Sequence, residues 1–260
     1  MLFNIQYKED YPEYTEAHEL LMDVIKNTSC HSIAEDNNFL STGQVLVYLA
    51  FQTHRICDSM LLRFIGDYPL AILYRSLIEH SLKHFYIFAR FHKENNDDVG
   101  EQYYFDCIYD EQVKKVNAIL WPNFFKVKQG KKKEHKQIKK NAEQFTFRNM
   151  LNYIGAIDLP DISDDLTKFI QTLKSDYSLS SSYTHGGPEA ISMTKKIHKK
   201  SIQHSSVANA ILTQKHTIKT FATYDSPDKD RLIEVGQTMQ RLLDSTLSKW
   251  EATLKRASQD

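Results

Sequence analysis

The chain has 260 residues, with 33 basic and 33 acidic side chains, 11 histidines, 41% hydrophobic residues and only 8 glycines and 6 prolines. This composition excludes disordered, collagen-like and disulfide-scaffold classes, and a chain of this length buries about three quarters of its unfolded surface with no need of a disulfide or metal. The scarcity of turn residues disfavours many-stranded sandwiches and Rossmann repeats, which need frequent breaks.

The zero net charge hides an asymmetry. Residues 1–40 carry Lys8 and Lys26 against eight acids, a net charge of −6, whereas residues 126–140 (KVKQGKKKEHKQIKK) carry +7. A second basic cluster, KKIHKK, lies at 195–200. Such a distribution suits an anionic partner, or lets the acidic and basic parts face each other. Cys30, Cys57 and Cys107 form no C-x-x-C, so a zinc ribbon or thioredoxin-like site is not expected, and a reducing, cytoplasmic setting is. The N-terminal MLFNIQYKED has no signal-peptide pattern. The apolar stretch Val45 to Phe51 is interrupted by Gln52, His54 and Arg55, so no membrane span is predicted.

In chain order, residues 11–27 read as an amphipathic helix, with Leu20, Leu21, Val24 and Ile25 at helical spacing and acids in the first turns. A loop follows, and Thr42 is positioned to cap the next helix. Residues 44–65 and 69–92 are two strongly apolar helices around the break Gly66-Asp67-Tyr68-Pro69. Gly66 suits a helix C′ position, Asp67 a cap and Pro69 a first helical turn. So short a connection makes the two helices an antiparallel hairpin.

A polar turn leads to a helix at 101–120 with Tyr104, Ile108, Val113, Val116 and Leu120 as its apolar residues, ended by Trp121-Pro122. The lysine segment is predicted as an exposed helix or connector. Residues 145–155 form a short helix closed by Gly155. DLPDISDD introduces a helix at 164–182, broken by THGGP at 184–188. Helices at 201–223 and 228–257, joined by YDSPD, complete an all-α bundle of about seven to nine helices. Its predicted organisation is an acidic N-terminal helix and loop over 1–40, then a bundle domain over 41–260 with an exposed lysine-rich insertion at 126–140.

At 100° per residue, Leu70, Tyr74, Leu77, Ile78, Leu82, Phe85 and Phe88 form one wide apolar face of the second hairpin helix. Arg75 and Glu79 sit as i, i+4 neighbours at its edge, with Lys83 and Arg90 on the polar side. His80 is about 140° from Arg75, so an ideal helix keeps those two apart.

Four constellations carry possible chemistry. Arg75 and Glu79 can clamp an anion through the guanidinium fork, or simply seal the core edge as an ion pair. Ser178 to Pro188 (SLSSSYTHGGP) crowds hydroxyls and His185 before a break; His185 has the ordinary pKa for proton transfer near neutrality, and the alternative is that these residues cap a helix end. Arg75 and His80 have the Arg-to-His spacing of HEPN-type ribonucleases. Lys131, Lys132, Lys133, Lys136, Lys139 and Lys140 can contact a phosphate backbone, or merely solvate a surface. The flanking aromatics Phe124, Phe125, Phe145 and Phe147 are not interleaved with them, so no stacking platform is signalled. No H-E-x-x-H surrounds His80 and His84, and no Gly-rich phosphate loop or nucleophile elbow is present, so neither metal nor cofactor is expected.

The hairpin break, YRSLIEH and YSLSSSYTHGGP together resemble a widespread bacterial helical family of uncharacterised domains, over roughly residues 40–225. Its marked residues correspond to Arg75, Glu79, Tyr183 and His185. The family is distantly similar to HEPN-like bundles of toxin–antitoxin and phage-defence loci. The resemblance implies a metal-independent ribonuclease acting as a homodimer, with Arg75 on the phosphate, His185 or His80 as acid/base and the lysine run guiding RNA. Ser76 departs from the HEPN pattern, which has Asn, Asp or His after the arginine. The contrasting expectation is a non-catalytic helical sensor or interaction module of a defence or regulatory assembly, with a partner protein from the same locus.

Overall fold

A computed structural model of the chain describes residues 9–28, 40–62, 65–107, 132–157, 177, 199–223 and 228–257. Among the described residues there are eight α-helices, one π-helical turn and no strand. The helices are α1 (Pro12–Thr28), α2 (Leu40–Met60), α3 (Asp67–Glu94), α4 (Asp98–Glu101), α5 (Lys132–Glu143), α6 (Phe147–Ala156), α7 (Lys199–Ala222) and α8 (Lys229–Ala257), and the π-turn is Gln102–Cys107. The chain is an all-α helical bundle, as its periodicity predicts.

The hairpin of α2 and α3 is antiparallel. Residues 61–66 connect them, and the start of α2 returns to the end of α3, where the Thr42 amide donates to Asp97 Oδ1 at 3.3 Å and the Thr42 hydroxyl to the Asp97 carbonyl at 3.3 Å. Thr42 is thus inside α2 and buried, tying two elements together instead of capping its own helix. The break also differs from expectation. Gly66, at φ −75° and ψ 161°, is the extended N-cap of α3, Asp67 is already helical, and Pro69 stands in the first turn. At the end of the preceding helix and in the connection that follows it, donors from α7 take up backbone carbonyls. Gln203 Nε2 donates to the Met60 carbonyl and Lys199 Nζ to that of Ile65, each at 3.0 Å.

Helix α7 is the centre of the bundle, packed on α1, α2, α3 and α8. It runs parallel to α3, since Tyr74 pairs with Ser205 and His84 with Thr217 further along both. Its partner α8 runs the other way: Lys215 meets Gln240, and Ser201 meets Trp250. Sixteen residues of α7 are buried, among them Ser205, Ser206, Asn209, Thr213, Gln214, His216, Thr217 and Thr220. A polar helix survives in a core because its short side chains bond to their own backbone. Ser206, Asn209, Thr217 and Thr220 each donate to the carbonyl four residues back, and Thr213 to the one three back. Bonded this way, the hydroxyls pack as small apolar groups at little desolvation cost, whereas Asn209 Oδ1 and both polar atoms of the Gln214 side chain are buried without a hydrogen-bond partner.

Two of the acids of α1, Glu13 and Asp23, face α8. Glu13 accepts from Ser245 and Lys249, and Asp23 pairs with Arg231. The packing between the two helices is apolar, with Leu21, Val24, Leu232, Met239 and Leu243 in one core cluster.

Beyond the open end of α3, the chain differs most from its sequence reading. In place of one helix from 101 there is the short α4 and then the π-turn, while residues 108–131, with Trp121-Pro122, lie outside the described residues. The wide turn buries Tyr103 and Cys107 and leaves Tyr104 exposed, contrary to its expected place on the apolar face. Gly155 lies within the last turn of α6, which ends at the extended Ile157. The lysine segment contains a real helix, α5, on which Lys136, Lys139 and Lys140 are exposed.

Candidate functional site

The long apolar face of α3 forces its Arg75 and Glu79 to the boundary of the core, where both stay reachable by water. Their side chains are 26% and 40% exposed, and Arg75 Nε lies 3.3 Å from Glu79 Oε1. A third group closes the pair. The Tyr177 hydroxyl lies 3.3 Å from Arg75 Nη2 and 3.3 Å from Glu79 Oε1, accepting from the first and donating to the second. The Tyr177 ring is held flat against Phe147, at the start of α6, with ring centres 3.7 Å apart. Three parts of the chain therefore converge: the outer edge of α3, the entrance of α6 and the single residue Tyr177. Partial burial acts to lower the Arg75 pKa, but Tyr177 and Glu79 outweigh it and raise it. The result is a permanent, oriented cation beside a carboxylate and a phenol.

His80 is not part of this triangle. Its Nδ1 is 2.7 Å from the Ser76 carbonyl, one turn back on α3. A carbonyl only accepts, so Nδ1 carries the proton and Nε2 is left as the free nitrogen of the neutral ring. The bond anchors the imidazole on its own helix, on a different side from Arg75, as the helical phase requires.

Tyr183, His185 and the 184–188 break lie outside the described residues, as do Lys131 and all of the 164–182 helix except Tyr177. Tyr177 is the site residue not singled out by sequence reasoning. Its signal was there: it opens the YSLSSSY run that carries the family resemblance.

Two further clusters are prominent. Arg90, expected on the polar side of α3, is only 8% exposed. Its guanidinium makes two 2.8 Å bonds to Glu94 and reaches Tyr86 Oη at 3.4 Å, Gln102 Oε1 at 3.1 Å and Gln144 Oε1 at 2.9 Å. Burial alone would lower its pKa, yet Glu94 and Tyr86 raise it. This arginine ties α3 to the π-turn and to the junction of α5 and α6. Its phase was read correctly; what covers that phase is supplied from elsewhere in the chain.

The second cluster is imidazole-rich. His84 is fully buried with Nε2 3.0 Å from Thr217 Oγ1, and His216 stacks on Phe88 at 4.1 Å. Burial depresses the pKa of His84 to about 3 and lowers that of His216 well below its usual value. Both are neutral packing groups, and neither is poised for proton transfer. His84 and His80, although i, i+4, are thus separately engaged. Among the described residues, no group of three or more His, Cys, Asp or Glu is arranged to hold a metal ion. Cys57 and Cys107 are buried free thiols, and burial pushes the Cys57 thiol up. No helix among the described residues is long and apolar enough to cross a membrane.

Comparison of the chain with family models, with curated proteins and with solved structures finds no match.

Proposed function

We propose that this protein is a HEPN-like, metal-independent endoribonuclease, acting as a homodimer in the manner of toxin or phage-defence effectors. The observation that carries the reading is the closure of the Tyr177 hydroxyl on Arg75 and Glu79. It puts Tyr177, eight residues ahead of His185 in the sequence, on a water-reachable guanidinium. A guanidinium presents paired donors that match phosphate oxygens. In this reading Arg75 holds the scissile phosphate, while Glu79 and Tyr177 fix its orientation. His185 removes the 2′-hydroxyl proton as O2′ attacks phosphorus. The P–O5′ bond breaks, and the leaving O5′ takes a proton from the protonated imidazolium of the second copy's His185. The products are a 2′,3′-cyclic phosphate and a free 5′-hydroxyl.

The test is cleavage of a labelled single-stranded RNA in EDTA by the wild type, Arg75→Ala and His185→Ala, each checked for an unchanged melting temperature. Loss of cleavage in both variants is expected. Cleavage that persists in both removes these residues from the mechanism.

One observation favours a second reading. Arg75 already has a carboxylate partner in Glu79, which an incoming phosphate must displace. That suits a non-catalytic sensor or interaction module whose partner protein comes from the same locus. Here no RNA is cleaved under any condition, and Arg75→Ala changes partner binding alone.

A further inference from the structure

The two most exposed large apolar side chains among the described residues are neighbours. Tyr104 is 58% and Phe105 63% exposed, and their rings touch edge to face with centres 5.1 Å apart. Their exposure follows from the π-turn. Within that turn Tyr103 and Cys107, four residues apart, both face the core, and the two consecutive aromatics between them, Tyr104 and Phe105, are left outside. Leaving two such rings in water forgoes burial that most folds would use.

The π-turn packs directly against α5, the lysine helix. Asn141 Nδ2 donates to Asp106 Oδ2 at 2.6 Å and locks the residue after Phe105 to that helix. The same bond engages the one carboxylate of the π-turn. On α5, Lys136 and Lys140 are one turn apart and exposed, as is Lys139. The exposed acids nearby include Glu94 at the end of α3, Asp98 and Glu101 on α4, and Glu143 at the end of α5. The tertiary structure thus packs against each other two elements that the sequence separates, one bearing a pair of bare aromatic rings and the other three exposed lysines.

From this juxtaposition we infer that the π-turn and α5 form a binding surface for single-stranded RNA, with bases stacked on Tyr104 and Phe105 and the backbone phosphates on Lys136, Lys139 and Lys140. Unstacked bases find π faces on exposed aromatics, and lysines contribute sequence-blind, salt-sensitive attraction to phosphate. A duplex hides its base faces, so the surface selects single strands. The inference names the substrate form for the ribonuclease reading and rests on that reading only for the consequence of binding.

The experiment measures binding of a fluorescent 20-nucleotide oligouridine to the full chain carrying Arg75→Ala, so that cleavage does not intervene. Tyr104→Ala and Phe105→Ala should each weaken binding by about tenfold, within the range for loss of one stacked base. The triple variant Lys136→Gln, Lys139→Gln, Lys140→Gln should flatten the slope of log affinity against log salt by about 2, given roughly 0.7 per phosphate contact on a single strand. Ile233→Ala is the control, removing an exposed apolar side chain from α8, which packs on α1 and α7. It should change nothing. Equal affinity for a duplex, unchanged binding in both aromatic variants, or displacement of the RNA by polyglutamate at equal charge would overturn the inference, the last pointing to an acidic protein. Binding that follows these rules without cleavage by the wild type keeps this surface and defeats the ribonuclease reading. Cleavage indifferent to Tyr104 and Phe105 does the reverse.

Discussion

A Cβ placed on Gly100 would lie 2.4 Å from the backbone nitrogen of Thr42. The contact joins the start of α2 to the short helix beyond α3, and it is against main chain, so no side chain can swing aside. Gly100→Ala must therefore push two elements apart. We expect a loss of about 2–3 kcal/mol, at the upper part of the usual overpacking range, read as a lower urea midpoint with unchanged slope. Gly155 and Gly236 have open space around them, so Ala at either should be tolerated.

Arg90 and Arg75 both pair with a glutamate one turn ahead on α3, but burial separates their energetics. Arg90→Ala leaves a partly buried Glu94 and two glutamine carbonyls without their donor, at a cost of about 3 kcal/mol. Arg90→Lys should recover less than half, since an ammonium cannot span four partners. Thermal melts of the two variants check this ordering.

Arg75→Ala should cost under about 1 kcal/mol, because a water-exposed ion pair contributes little. The same holds for Tyr177→Phe, which loses the hydroxyl and keeps the stack on Phe147. Near-wild-type melting temperatures for both variants are the expected result. A drop as large as that of Arg90→Ala would mark the triangle as structural.

Stability should fall in mild acid. Burial holds His84 and His54 near a pKa of about 3, with His18 adding to the effect at His54, and His216 is lowered as well. The unfolded chain takes up these protons near pH 6.5 and the folded chain does not. The stability these groups contribute is therefore complete above pH 6.5 and is lost as the pH falls from there towards 3. His84 and His54 should each remove about 2 kcal/mol between pH 7 and pH 5, and His216 acts in the same direction. His216→Phe keeps the stack on Phe88, deletes a buried ring nitrogen with no hydrogen-bond partner, and should make the pH dependence of unfolding measurably shallower.

The α2–α3 hairpin was legible because local signals agree there: an apolar stripe at helical spacing on either side of a Gly-Asp-Tyr-Pro break. The adjacency of Arg75 and Glu79 was legible for the same reason, since i, i+4 spacing on a helix is local geometry. The place of α7 was read within two residues at each end, but not its role. A helix with Ser, Thr, Asn, Gln and His on every side carries no stripe to mark it as a core.

What the sequence determined by itself is the helical class, the positions of the long helices among the described residues and the boundary placement of the arginine–glutamate pair, because those follow from periodicity and capping over a few residues. Tertiary structure alone decided that a polar helix sits in the middle, that Arg90 is covered, that Tyr177 closes on Arg75, and that the π-turn bearing Tyr104 and Phe105 packs on the lysine helix. The physical reason is the same in each case. Burial and neighbourhood are set by what arrives from distant parts of the chain, and a hydroxyl that can bond its own backbone, or a guanidinium that can find four acceptors, fits a core as well as a surface.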